Sequence, residues 1–135
     1  MKIKFALFIL LLIISGCTTV NPNLDSLANC LAEKGVKEYG TFWCPNCAKQ
    51  EKMFGSSFKI IKEKAYIECD PRCDVDNSND LPLACRSIIG QPELCLEKKI
   101  DKYPTWDFPN GNRLVGVQEF SVLAKEAGCE FNEEN

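Results

Sequence analysis

Phe42-Trp43-Cys44-Pro45-Asn46-Cys47 places two thiols one helical turn apart, directly after a strand-like apolar run. A helix start leaves backbone N–H groups without partners and carries the positive end of the helix dipole, so a cysteine there is stabilised as the reactive thiolate. Cys44 is therefore the candidate nucleophile and Cys47 the resolving thiol. Pro45 suits the first helical position, where its missing N–H costs nothing, and it fixes the turn that brings Cys47 under Cys44.

Upstream of this stretch, Asp25 is read as the cap of a helix running to about Lys34, with Gly35 as its stop, and Val36 to Trp43 as a strand. Downstream, Pro45 to Phe54 is a good helix former that Gly55-Ser56-Ser57 interrupts, and Ala65 to Cys69 is a second strand. Residues 70 to 90 are rich in Asp, Asn, Pro and Ser, and read as a long loop with a short helical turn near Leu81 to Ile88. Pro92 starts a short helix to Lys98, and Tyr103 to Phe108 is a strand. Asn110-Gly111 is a hairpin turn returning as Arg113 to Val117, and Glu119 to Ala127 is a last helix stopped by Gly128.

At the N-terminus, Lys2 and Lys4 precede an apolar run from Phe5 to Ile14 and then Ser15-Gly16, the order of charged, apolar and small residues in a secretory signal. The run is shorter than the roughly 20 residues of a membrane span. Ile14-Ser15-Gly16-Cys17 resembles the lipobox of bacterial lipoproteins, which implies lipidation at Cys17; a simple signal peptide and an uncleaved anchor are the alternatives. The expected organisation is a signal over residues 1–16, a polar tether over 17–25, one domain over 26–130 and a tail over 131–135, held outside the cytoplasm at a cell membrane.

The net charge of −3 leaves no basic surface for nucleic acid, and losing Lys2 and Lys4 with the signal makes the remainder more acidic. The absence of histidine removes Ser-His and Cys-His catalysis and the commonest zinc ligand. Nine cysteines in an exported chain imply disulfides, and setting Cys17 aside leaves an even number. With Cys44 and Cys47 as the redox pair, the preferred structural bridges are Cys30–Cys129 across the two ends of the domain, Cys69–Cys95, and Cys73–Cys85 across the long loop. Six cysteines allow fifteen connectivities, so these are preferences. A second redox role for Cys73–Cys85, relaying electrons to Cys44–Cys47, competes with a plain loop staple, which is the commoner use of such a bridge.

Four segments in order resemble the thioredoxin superfamily, most nearly the thioredoxin-like domains associated with vitamin K epoxide reductase homologues: Gly35 to Cys47, Tyr66-Ile67-Glu68-Cys69, Tyr103-Pro104-Thr105-Trp106, and Leu123 to Gly128. The resemblance implies an α/β thioredoxin-like fold with a central mixed four-stranded sheet flanked by helices. It also implies that Cys44 and Cys47 cycle between dithiol and disulfide. Pro104 would be a cis proline beside them, leaving the Tyr103 backbone free to pair with an extended substrate. Trp43, Tyr103, Pro104 and Thr105 are the expected substrate contacts, although Trp43 can equally fill core space. Glu38 occupies the place of a buried acid that takes a proton from the resolving thiol; its competing reading is a solvated strand charge beside Lys37.

The leading expectation is a membrane-tethered thiol-disulfide oxidoreductase acting on exported thiol or disulfide proteins. The resemblance alone favours an oxidase recycled in trans by a quinone-linked, vitamin K epoxide reductase-like membrane protein; a thioredoxin-like reductant is the alternative. No separate cofactor, metal or oligomer is implied, and a monomer is expected. Two other classes compete: a zinc module built on Cys44, Cys47, Cys69 and Cys73, and a disulfide-stabilised lipoprotein with an inert dithiol.

Overall fold

The computed structural model describes residues 21–74 and 81–133. The expected signal and the first part of the expected tether, residues 17–20 with Cys17, lie outside them. The first helix, α1 (Pro22–Glu33), begins earlier than Asp25: the side chain of Asn21 accepts from the backbone N–H groups of Asn23 and Leu24 at 3.1 and 3.3 Å, with Pro22 at the first helical position. An Asn-Pro pair supplies both a cap and a pre-set φ, so it outcompetes Asp25 as the start, and residues 22–25 are helix where a tether was expected. Asp25 instead accepts a 2.6 Å hydrogen bond from the Ser57 hydroxyl.

Strand β1 (Lys37–Gly40) stops before Trp43, because the backbone N–H of Cys44 turns back onto the Thr41 carbonyl at 3.1 Å. Helix α2 (Pro45–Phe54) is followed by a single 3-10 turn, Gly55–Ser57, with Gly55 at φ +57°, and then by α3 (Phe58–Lys64). Gly55-Ser56-Ser57 reads in sequence as the end of the helix, yet a further helix, α3, follows it. The reason is packing: Phe58 and Ile61 are buried against α1 and the sheet, and that burial outweighs weak local propensity. Strand β2 (Tyr66–Glu68), two further 3-10 turns (Pro71–Cys73 and Leu83–Ser87), helix α4 (Pro92–Glu97), strands β3 (Thr105–Asp107) and β4 (Arg113–Val115), and helix α5 (Phe120–Ala127) complete the order. Gly128, at φ 68° and ψ 36°, ends α5 in the left-handed conformation that glycine adopts without strain.

The four strands form one mixed sheet in the order β2-β1-β3-β4. β1 runs parallel to β2, and antiparallel pairs join β1 to β3 and β3 to β4. Alternation along the strands sends Trp106 into a core with Leu27, Leu31, Phe54, Ile61 and Leu123 from α1, α2, α3 and α5. Tyr39 and Ile67, one register position away, join Cys69, Cys95 and Ile100 in a second cluster beneath α4. Each fully buried Leu, Ile or Phe contributes about 1.5–3 kcal/mol, so the first cluster holds most of the apolar stabilisation. The fold is mixed α/β and thioredoxin-like.

Three disulfides join the pairs that the sequence favoured: Cys30–Cys129, Cys69–Cys95 and Cys73–Cys85. They consume the Cys69 and Cys73 thiols that a zinc site would need. Among the described residues, no group of three or more His, Cys, Asp or Glu side chains is placed to hold a metal ion, and no helix is long and apolar enough to cross a membrane.

Candidate functional site

Cys44 is the N-cap of α2, in extended conformation at φ −75° and ψ 120°, and Pro45 takes the first helical position. The geometry converges on the Cys44 sulfur. The backbone N–H of Cys47 donates to it at 3.3 Å, and its own thiol points to the Tyr103 carbonyl at 3.6 Å. Cys44 and Cys47 are both unpaired thiols, and each is 6% exposed. The Tyr103-Pro104 peptide bond is cis.

The two thiols stand in different surroundings. Burial, followed by the hydrogen bond with Cys44, pushes the Cys47 thiol up; a backbone hydrogen bond from Thr41 works in the opposite direction. An anion at Cys44 has a backbone donor at the helix start, whereas Cys47 favours its protonated form. This is the asymmetry a nucleophile and resolving-thiol pair needs.

Glu38 lies inside the molecule. It is fully buried and neither carboxyl oxygen has a hydrogen-bond partner, which overturns the solvated-strand reading. Desolvation first, and the negative charge of Glu51 second, raise its pKa well above the usual 4.5. The physical cause is the sheet: Glu38 sits opposite Trp106 on one side and Tyr66 on the other, on the face covered by helices.

Two groups absent from the sequence-based site complete this polar interior. The Tyr66 hydroxyl donates to Glu68 Oε2 at 3.0 Å, and the Asp70 backbone N–H donates to Glu68 Oε1 at 2.9 Å. Burial raises the pKa of both Glu68 and Tyr66. Gly40 shows how closely they meet: a Cβ there would lie 2.9 Å from the Tyr66 oxygen and 3.0 Å from the Cys47 sulfur. The signal in the sequence was the i, i+2 spacing of Tyr66 and Glu68 after Glu38 and Gly40, which becomes informative only once β1 and β2 are paired in parallel.

Outside the dithiol, Trp43 is 55% exposed, so it does not fill the core. Its indole N–H donates to Asp70 Oδ2 at 2.7 Å, and its ring meets Tyr103 edge-on at 6.4 Å between centroids. Arg72 clamps the same Asp70 through Nε and Nη2 at 3.0 and 2.9 Å, and its guanidinium lies 4.9 Å over the Phe42 ring. These Arg72 hydrogen bonds are the main reason the Asp70 carboxyl is pulled down to about 2. Pro104 is buried, and the buried Thr105 donates its hydroxyl to the Lys102 carbonyl at 2.7 Å, which shapes the turn under Tyr103. Gln50, also buried, ties α2 to residue 118 through both ends of its amide at 3.1 and 2.7 Å. Cys73 and Cys85 are 1% and 2% exposed, so neither sulfur of this bridge meets solvent.

No protein-family model matches the chain. Over 115 residues it is 31% identical to the thiol-disulfide oxidoreductase LTO1 of Arabidopsis thaliana, an alignment that takes in 85% of this chain and 27% of that protein. The match supports a thioredoxin-like redox protein. The chain spans about a quarter of the length of the curated relative it matches.

Proposed function

We propose that the chain is an extracytoplasmic thiol-disulfide oxidoreductase, tethered at a membrane by its N-terminus, that works as an oxidase of exported proteins and is recycled in trans by a quinone-linked membrane partner. The observation that carries the reading is the Cys44 sulfur held between the Cys47 N–H and the Tyr103 carbonyl, with the acid Glu38 buried behind the pair. The relative's name, thiol-disulfide oxidoreductase, agrees with it.

In the oxidised protein a substrate thiolate attacks Cys44 Sγ. The Cys44–Cys47 bond breaks, and its electron pair leaves on Cys47, which takes up a proton. Glu38, whose pKa burial raises, is the acid within the interior that supplies it. A second substrate thiolate then attacks the substrate sulfur of the mixed disulfide and expels Cys44 as a thiolate at the α2 N-terminus. The substrate gains a disulfide, and the protein pair gains two electrons and one proton, leaving Cys44 as the thiolate and Cys47 as the thiol, while Glu38 recovers its proton from solvent. The exposed Trp43 and the half-buried Tyr103 flank the attacked sulfur, where an extended peptide would lie.

The test is the reduction potential of Cys44–Cys47 in the full chain, by equilibration with glutathione buffers and thiol labelling. An oxidase is expected between about −120 and −200 mV, a reductant near about −270 mV, and a pair that never reduces belongs to an inert protein. Cys47→Ser is expected to accumulate a mixed disulfide at Cys44 when mixed with a peptide disulfide, through attack of the Cys44 thiolate and release of one peptide thiol, and Cys44→Ser to form none.

A further inference from the structure

The buried stripe of α2 consists of Cys47, Gln50 and Phe54, so Gln50 holds a place that packing alone would give to an apolar side chain. It is 0% exposed, and both ends of its amide reach one residue 68 positions away. Gln50 Nε2 donates to the Gln118 carbonyl at 3.1 Å, and Oε1 accepts from the Gln118 N–H at 2.7 Å. Gln118 folds its own side chain back, donating from Nε2 to the carbonyls of Val115 and Gly116 at 3.1 and 3.2 Å. Gly116, at φ +89°, donates its N–H to the Pro104 carbonyl at 2.7 Å. Pro104 carries the cis bond from Tyr103, whose carbonyl faces the Cys44 thiol at 3.6 Å. These bonds close a ring that runs from the helix bearing both thiols, through residues 116–118, to the cis-proline loop and back to Cys44.

We propose that Gln50 is a positioning residue for peptide substrates: through Gln118 and Gly116 it sets the separation between α2 and the cis-proline loop, and with it the width of the cleft at Cys44. The inference rests on the proposed redox activity and adds to it a residue that acts through others. The two walls of the cleft come from separate elements, Trp43 and Cys44 ahead of α2 and Tyr103 ahead of β3. Across the mouth they meet through an edge-on ring pair at 6.4 Å and the 3.6 Å thiol contact. Both contacts lie where a peptide enters, whereas the Gln50 amide is buried and stays bonded while one binds. An amide suits this place because it brings a donor and an acceptor to a backbone residue that needs one of each. A hydrocarbon of equal length would leave both Gln118 groups without partners and release the loop. A small dithiol reacts at the Cys44 sulfur without spanning both walls, so the brace bears on peptides far more than on such a reagent.

The experiment compares the oxidised full chain with its Gln50→Met variant, which keeps the length of the side chain and removes both bonds. Initial rates are followed with a reduced peptide dithiol over a range of concentrations and, separately, with dithiothreitol. The ratio of the peptide rate to the dithiothreitol rate is expected to fall about tenfold or more, with the loss carried by a higher KM for the peptide. A ratio within about twofold of the parent's, whether both rates hold or both fall, overturns the proposal, because a purely structural role moves the two together. If Gln50→Met does not fold, Gln118→Ala decides. That variant retains the backbone groups that Gln50 bonds and loses the links to the Val115 and Gly116 carbonyls. Its ratio is expected to fall about threefold or more, and an unchanged ratio overturns the proposal in the same way. Peptide oxidation by the parent with an unchanged ratio in the deciding variant sinks this inference alone; a parent that oxidises no peptide sinks the proposed function with it.

Discussion

Glu38 is a carboxyl in a place where nothing bonds to it, and that condition has a measurable sign. Its pKa is raised by burial first and by Glu51 second, so the folded protein keeps a proton that the unfolded chain has released once pH passes the ordinary 4.5. Stability contributed at this position therefore falls as pH rises from 4.5 toward the folded pKa, and is unaffected below 4.5, where both states are protonated. Glu38→Gln is expected to melt higher than the parent at mildly alkaline pH and equally at acid pH. Loss of a positioned acid should also slow peptide oxidation about 100-fold or more. Thermal scans across pH together with stopped-flow oxidation check both halves, and a stability gain without a rate loss removes Glu38 from the proton transfer. At this scale the sequence was partly legible. Cys44, Pro45 and Cys47 announce themselves because a cap and a first-turn proline are local chemistry, whereas Lys37-Glu38-Tyr39 does not say which face of the strand meets water.

Elements divide along the same line. The start of α2, the 110–111 hairpin turn and the glycine stop of α5 were all readable, since each depends on residues a few positions apart. Helix α3 was not, because seven residues after a glycine and serine break become helical through the burial of Phe58 and Ile61 against distant partners. The loop after β2 is held at its end by Gly90, where any side chain would press within 2.8 Å of the Cys73 backbone, and by the Cys73–Cys85 bridge. With its cysteines 12 positions apart in sequence, that bridge is expected to stabilise by about 3 kcal/mol. Cys73→Ala with Cys85→Ala should lower the urea midpoint accordingly and leave peptide oxidation per folded molecule unchanged. Lost turnover in a fully folded double variant would instead reinstate these buried cysteines as an electron relay.

Across the whole molecule, Cys30–Cys129 connects α1 to the segment after α5 over a separation of 99 residues. A loop of that length places the upper bound of its stabilisation at about 4–5 kcal/mol, so Cys30→Ala with Cys129→Ala is expected to unfold at markedly lower urea while Cys44 keeps its reactivity toward a thiol label. A change in Cys44 reactivity at low urea would show that the bridge also shapes the site. The sequence by itself determined the order of elements apart from α3, the dithiol at a helix start and the number of cysteines free to form bridges, because caps, turns and counts are properties of neighbours along the chain. Only the tertiary structure decided that Glu38 is buried beside Trp106 and Tyr66, that Tyr66 and Cys47 close on Gly40, that Tyr103 meets Cys44, and that a cavity borders Cys47 and not Cys44. These arise where β1 pairs with β2 and β3, and strand register, set by packing of both sheet faces, brings together residues that no local rule relates.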